Sequence, residues 1–363
     1  MDNTKTKVWT TADTRDLITR YSAFAVLALL ILFNMIFTKN FASTGTLWNI
    51  ITQTCTIILT GMGMTMVIST GGIDISDGEV MALSGMTSAL MLPYGLIPAI
   101  LVGLALSVCS GAIAVFMIGK LKVQPMVVTL ALMIGIRGVA QVINDAKIFN
   151  ISGANADAYI ALGTARIFGL PVQIIPVIVV IAAMWFIMNK TVLGSRIQAV
   201  GDNSSSARMA GINSTRTLMV VYMTSAFLAG VAGIFATAKI GAADANSLGN
   251  LAELDAIAAV AVGGTSMSGG RAKIFGTVVG ALIMQLINIT VNMNNITYEY
   301  ASVLKAIIII IAVKGYVDHE KTANSSYRKH GYGFVHVRHE RTATMGRINL
   351  LYRISILGGR QRL

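Results

Sequence analysis

Three carboxylates stand where an apolar chain has least use for charge. Asp74 lies in the run GGIDIS at 71–76, between two apolar stretches, and Glu253 and Asp255 open the segment ELDAIAAVAVGGTSMSGG at 253–270. That segment closes on Gly263, Gly264, Thr265 and further Gly and Ser residues, with Arg271 and Lys273 just beyond. A charged group in hydrocarbon is costly and marks a pathway or a paired partner. Asp74 is therefore a candidate for a polar pathway or for a paired partner, and a segment that opens on Glu253 and Asp255 and closes on Gly263, Gly264 and Thr265 is poorly suited to face lipid. Gly71, Gly72 and Gly78 disfavour an unbroken helix around Asp74. A broken backbone at membrane depth is tolerated only inside protein or beside a cavity; the alternative reading of this stretch is a plain inner turn.

Other chemistry has no residues to carry it. All four histidines, His319, His330, His336 and His339, follow the last apolar segment, so the apolar region holds no imidazole for haem, metal or a histidine proton relay. No cofactor and no metal site are expected. The G-x-x-x-x-G-K-[ST] loop of nucleotide hydrolases is absent, and no nucleophile, base and orienting group can be assembled in the usual way. The chain is read as a transporter component rather than an enzyme. Cys55 and Cys109 sit in separate apolar stretches and read as small core hydrophobes.

The elements that must position these residues follow from hydropathy. Hydrophobic residues form 55% of the 363-residue chain and charged ones 12%, a balance that soluble globular domains do not reach. The fold class is all-α, a polytopic membrane protein. Ten apolar segments are predicted, at 21–37, 47–70, 79–93, 95–118, 126–143, 172–188, 217–238, 255–267, 274–293 and 301–317. The third and eighth are short for a span and read as re-entrant or broken. Residues 1–20 are polar, lack a cleavage pattern and read as a cytoplasmic segment ahead of an uncleaved first span.

Lys and Arg set the orientation. With the amino terminus inside, Lys120, Lys122, Lys190, Arg196, Arg208, Arg216, Arg271, Lys273 and Lys314 all fall on the cytoplasmic side. The outer connections carry only Lys39, Lys147, Arg166 and Lys239, offset in part by Asp145, Asp157 and Asp244. This asymmetry fits ten spans with both termini cytoplasmic.

Two connections are long. The outer loop 144–171 reads either as a solvated connector or as a cover for the pore mouth or a dock for an external partner. The inner loop 189–216 contains a short helix signal: Asp202 or Asn203 as cap, 204–209 as helix, and Gly211 as a left-handed terminator. Such a capped knob on the cytoplasmic face suits docking of a soluble partner, and equally a basic membrane-surface loop. Arg137 and Lys305, near span ends, read as residues that snorkel to the interface. Gly276 and Gly280 read as a helix-packing pair, and the 20 methionines as core filler.

Taken together, GGIDIS at 71–76 and ELDAIAAVAVGGTSMSGG at 253–270 resemble the permease subunits of bacterial ABC importers for monosaccharides, the ribose, xylose, galactose and galactofuranose group. The likeness runs from about residue 21 to residue 317 and includes Arg137-Gly138 and AVGDNSSSARMAGI at 199–212. It implies a type II ABC importer-like permease domain over 21–317, in the bacterial inner membrane. It also implies a cytoplasmic ABC ATPase subunit, a periplasmic sugar-binding protein, and a second permease copy or paralogue as partners. Nucleic acid is not among them. In that family the inner loop couples to the ATPase, which by correspondence assigns Gly201, Asp202, Asn203, Ala207 and Gly211 to that contact; the same correspondence implies that Asp74, Glu253, Asp255, Gly263, Gly264 and Thr265 lie near the translocation pathway or its gate. An ion-coupled secondary transporter is the alternative; it calls for internal repeats, and no convincing repeat relates the halves.

Two features depart from the family pattern. Asp77 precedes Gly78 where an apolar residue is usual, adding a carboxylate near Asp74. The tail 318–363 extends past the usual end and holds nine Lys or Arg against three Asp or Glu. It is read as a disordered end with no role in transport, the alternative being contact with anionic lipid or nucleic acid.

Overall fold

The computed structural model describes the backbone of residues 11–297 and of 300, 302, 303, 305–308 and 310, and side chains from residue 23 onward. The expectation for the tail 318–363 lies outside the described residues.

Helices dominate. α1 (Thr11–Phe37), α2 (Thr44–Ser69), α3 (Asp77–Leu90), α4 (Leu96–Val115) and α5 (Pro125–Val142) fill the first half. α6 (Ala156–Thr164) lies in the long connection 144–171, predicted to be external. It is followed by α7 (Ile174–Lys190), α8 (Val192–Asp202), α9 (Ser204–Met209), α10 (Ser214–Ile240), α11 (Ala252–Val262) and α12 (Ile274–Met293). Two small antiparallel ribbons break the all-α pattern: Phe149–Asn150 pairs with Ala242–Ala243, and Arg166–Ile167 pairs with Leu170–Pro171. Both sit in the connections predicted to be external, where backbone groups have no helix to satisfy them.

Among the described residues, five helices are long and apolar enough to cross a membrane: α2, α4 with its terminal π turn, α5, α10 and α12. A sixth is added if α7 and α8, bent by 70° at Thr191, count as one span. α2 and α10 form the centre. Of the most apolar window of α2, 78% is buried, against 22% for α5; α5 therefore stands at the periphery of this chain. α10 packs against α2, α3 and α4.

The helix ends follow local chemistry. Ser43, Thr191, Asn203 and Asn213 each accept a backbone amide at the start of α2, α8, α9 and α10, as capping requires. The helix expected over 204–209 is present, with Asn203 rather than Asp202 as its cap. It ends in a Schellman motif: Ile212 N–H donates to Ala207 C=O at 3.0 Å and Gly211 N–H to Arg208 C=O at 3.0 Å, with Gly211 at φ +81°.

The two short apolar segments are half-length helices. α3 is preceded by non-helical backbone at 72–76 and α11 by the irregular stretch 244–251. Gly276 and Gly280 seat α12 directly on the backbone of α11 at Gly263 and Ala259, the close approach that small residues permit. Cys55 is buried in the core, but Cys109 faces outward on α4. The core reading of Cys109 is thus corrected; it lies on the side of α4 opposite Ser107 and Gly111, which pack on α10.

Candidate translocation and coupling site

The half-length helices α3 and α11 begin against one another. Gly78, in the first turn of α3, touches the Gly249 carbonyl and the Glu253 carboxylate, so that a Cβ at Gly78 would collide with both. Each helix opens on acidic residues, Asp77 and Glu79 in α3 and Glu253 and Asp255 in α11, which the positive end of a helix dipole favours. The depth follows from α10: Asp77 accepts from Ser225 Oγ at 3.1 Å, about halfway along the span that runs from Ser214 to Ile240. Four carboxylates, Asp74, Asp77, Glu79 and Glu253, are thereby buried inside the bundle.

Each has a particular setting. Asp74 accepts the Ser76 amide at 3.0 Å and the Ser76 hydroxyl at 2.6 Å, closing a local turn. Glu79 pairs with Arg137 Nη2 at 3.1 Å. Through Nη1, Arg137 also donates to the carbonyls of Ala245 at 2.7 Å and Leu248 at 2.8 Å. It therefore ties α3 and α5 to the irregular stretch before α11. Glu253 turns towards α3, whereas Asp255 points the other way, to Lys305 at 2.6 Å and Asn288 at 3.2 Å. The neighbouring acids of the sequence motif thus serve different contacts.

Lys305 is 6% exposed. The snorkelling expected of Lys305 and Arg137 is corrected in both cases: buried carboxylates and carbonyls hold the cations inside. Asp77, the departure from the family pattern, is accommodated by Ser225. Glu79, Tyr222 and Ser225 were not singled out from the sequence. An acid in one apolar segment and a base in another was the available signal for Glu79.

Towards the end of α2 predicted to be cytoplasmic, the other sequence motifs converge. Gly270 N–H donates to the Ser69 carbonyl at 3.0 Å. Gly201, in the inner loop, rests on that same carbonyl and on the backbone of Gly269 and Gly270, and Asp202 lies beside Gly270. The turn 263–270 thus bridges the last residues of α2 and the inner loop. Thr265, buried after α11, accepts the Lys273 amide at 3.0 Å and fixes the turn that Gly263 and Gly264 begin. Asn203 and Ala207 build α9, Ala207 being buried beneath it, while Gly211 stands in open space. In the stretch before α11, the Ser247 hydroxyl, at 2.6 Å, holds the Asp244 carboxyl below its ordinary range. Among the described residues, no group of three or more His, Cys, Asp or Glu side chains is placed to hold a metal ion.

The sequence model of the branched-chain amino acid transport system / permease component family matches residues 46–313. The chain belongs to this family. The match includes every candidate pathway and coupling residue. The ribose import permease protein RbsC of Haemophilus influenzae is 36% identical over 306 residues, covering 82% of this chain and 93% of the relative. RbsC of Escherichia coli K12 is 35% identical over 302 residues, with the same coverage. The galactofuranose transporter permease protein YtfT of Escherichia coli K12 is 37% identical over 268 residues, covering 72% of this chain and 76% of the relative. No solved structure matches.

Proposed function

We propose that the chain is the membrane-spanning permease subunit of an ATP-driven ABC importer, passing a monosaccharide across the inner membrane. The observation that carries this reading is the similarity to the RbsC proteins over 93% of their length. Relatives named for galactofuranose, fructose and D-allose transport also match, which points to the sugar branch of a family described by amino acid transport. A separate cytoplasmic ATPase supplies the energy, a periplasmic binding protein delivers the sugar, and a second permease copy or paralogue completes the membrane unit. Ten spans with both termini cytoplasmic match the distribution of Lys and Arg.

In this reading Gly201, Asp202, Asn203, Ala207 and Gly211 form the ATPase-coupling surface. The contact of Gly201 with Ser69 and Gly270 supports a direct mechanical link from that surface to α2 and the 263–270 turn. Asp74 follows the end of α2, and Glu253, Asp255, Gly263, Gly264 and Thr265 belong to the half-length span that the turn terminates. Movement of the inner loop is thereby transmitted to both broken spans, with the Glu79–Arg137 tie keeping their starts together. The experiment is coexpression with candidate ATPase and binding-protein subunits in a host lacking sugar importers. Labelled ribose, galactose and allose uptake is expected to require both partners; uptake that survives inactivation of the ATPase overturns the reading.

A further inference from the structure

A cavity of about 180 Å³ opens beside the inner loop, and its lining includes Lys122, Arg208, Ser214, Thr215 and Tyr222. Its polar side chains are two cations, Lys122 and Arg208, and the hydroxyls of Thr70, Ser204, Ser214, Thr215 and Tyr222, with no carboxylate among them. Lys122 follows α4, Arg208 lies on α9, and Ser214 and Thr215 are the first residues of the 27-residue helix α10. Asn213 caps the Arg216 amide at 3.0 Å, which leaves the amides of Ser214 and Thr215 available at the positive end of the helix. Two hydroxyls in the lining, those of Ser214 and Tyr222, are buried without a hydrogen-bond partner. Tyr222 is fully buried. A buried hydroxyl left unpaired is costly, and an occupant that accepts hydrogen bonds would relieve it.

The buried acids nearest this floor accept from neutral serines, Asp74 from Ser76 and Asp77 from Ser225, and neither lines the cavity. Lys122 Nζ donates to the Gly119 carbonyl at 2.7 Å and keeps its charge at the rim. A neutral sugar offers hydroxyls that donate as well as accept and carries no charge for the two cations to meet. An oxyanion offers acceptors alone, and it matches two cations, a helix start and two orphan hydroxyls.

We propose that this cavity is a binding site for a phosphate group, seated where the inner loop meets α10. The group is held by Arg208 and Lys122 at the mouth and by the start of α10, with Tyr222 as its floor. Occupancy braces α9 against α10 and so bears on the mobility of the coupling surface. The phosphate belongs either to an anionic lipid headgroup or to a free cytoplasmic phosphate compound, and the chemistry of the site is the same for both.

The test uses the full-length chain, purified in detergent and in nanodiscs. In detergent, the thermal unfolding midpoint is followed as inorganic phosphate is titrated against chloride at constant ionic strength. In nanodiscs, phosphatidylglycerol-containing bilayers are compared with pure phosphatidylcholine. A phosphate-dependent rise in the wild type assigns a free anion; a rise seen only with phosphatidylglycerol assigns a lipid headgroup. In either case K122Q/R208Q is expected to weaken the response about tenfold, as loss of charge-assisted hydrogen bonds implies. Tyr222→Phe, which removes only the hydroxyl, is expected to weaken it by a smaller factor. The proposal is overturned if neither phosphate nor phosphatidylglycerol raises the midpoint, or if both variants respond like the wild type.

Discussion

Arg137 and Glu79 form a buried ion pair, Nη2 to Oε2 at 3.1 Å, at the place where two half-length helices begin. The pair joins a peripheral helix to the centre of the bundle, and the second guanidinium nitrogen reaches the stretch ahead of α11. Its role is to hold two broken spans in fixed relation where neither has a continuous helix to do so.

Removing one partner leaves the other charge buried and unmatched. Arg137→Met alone is expected to destabilise the protein by about 3–5 kcal/mol, read as a lowered unfolding midpoint in detergent. R137M/E79Q is expected to recover part of that loss. Equal midpoints for the single and double variants would show that Glu79 does not depend on Arg137.

Gly201 and Gly211 separate close approach from backbone conformation. A Cβ at Gly201 would overlap the Ser69 carbonyl, so Gly201→Ala is expected to displace the inner loop and abolish coupled uptake. A Cβ at Gly211 would meet no atom within 4 Å, but the residue sits at φ +81°. Gly211→Val is therefore expected to strain the end of α9 by about 1–3 kcal/mol and to uncouple ATP hydrolysis from uptake while insertion is retained. Coupled uptake unchanged in both variants would remove the inner loop from the coupling assignment.

Asp255 and Lys305 provide a second buried pair, at 2.6 Å. Lys305→Met should lower the unfolding midpoint more than the double change D255N/K305M, because only the single change orphans a carboxylate. A midpoint equal to that of the wild type in K305M would mean the lysine contributes nothing inside the bundle.

The tail offers a contrast. A chain ending at Val317 is expected to assemble with its partners and to import sugar at the full-length rate. Loss of the complex on copurification with the ATPase subunit would give residues 318–363 a role in assembly.

The sequence by itself determined what depends on neighbours along the chain. Apolar runs of span length, a cap at Asp202 or Asn203 and the Gly211 terminator of α9 are local, because hydropathy and capping act within a few residues. Motif order also carried the likeness to sugar permeases. Only the tertiary structure decided which partners the buried charges have: Arg137 reaches a carbonyl 108 residues away, a choice set by how α3, α5 and the stretch before α11 pack. The same holds for Gly201 on Ser69 and for the opposite directions of Glu253 and Asp255. Composition shows that a charge in an apolar segment must be paired, but packing alone brings the pairing group to it.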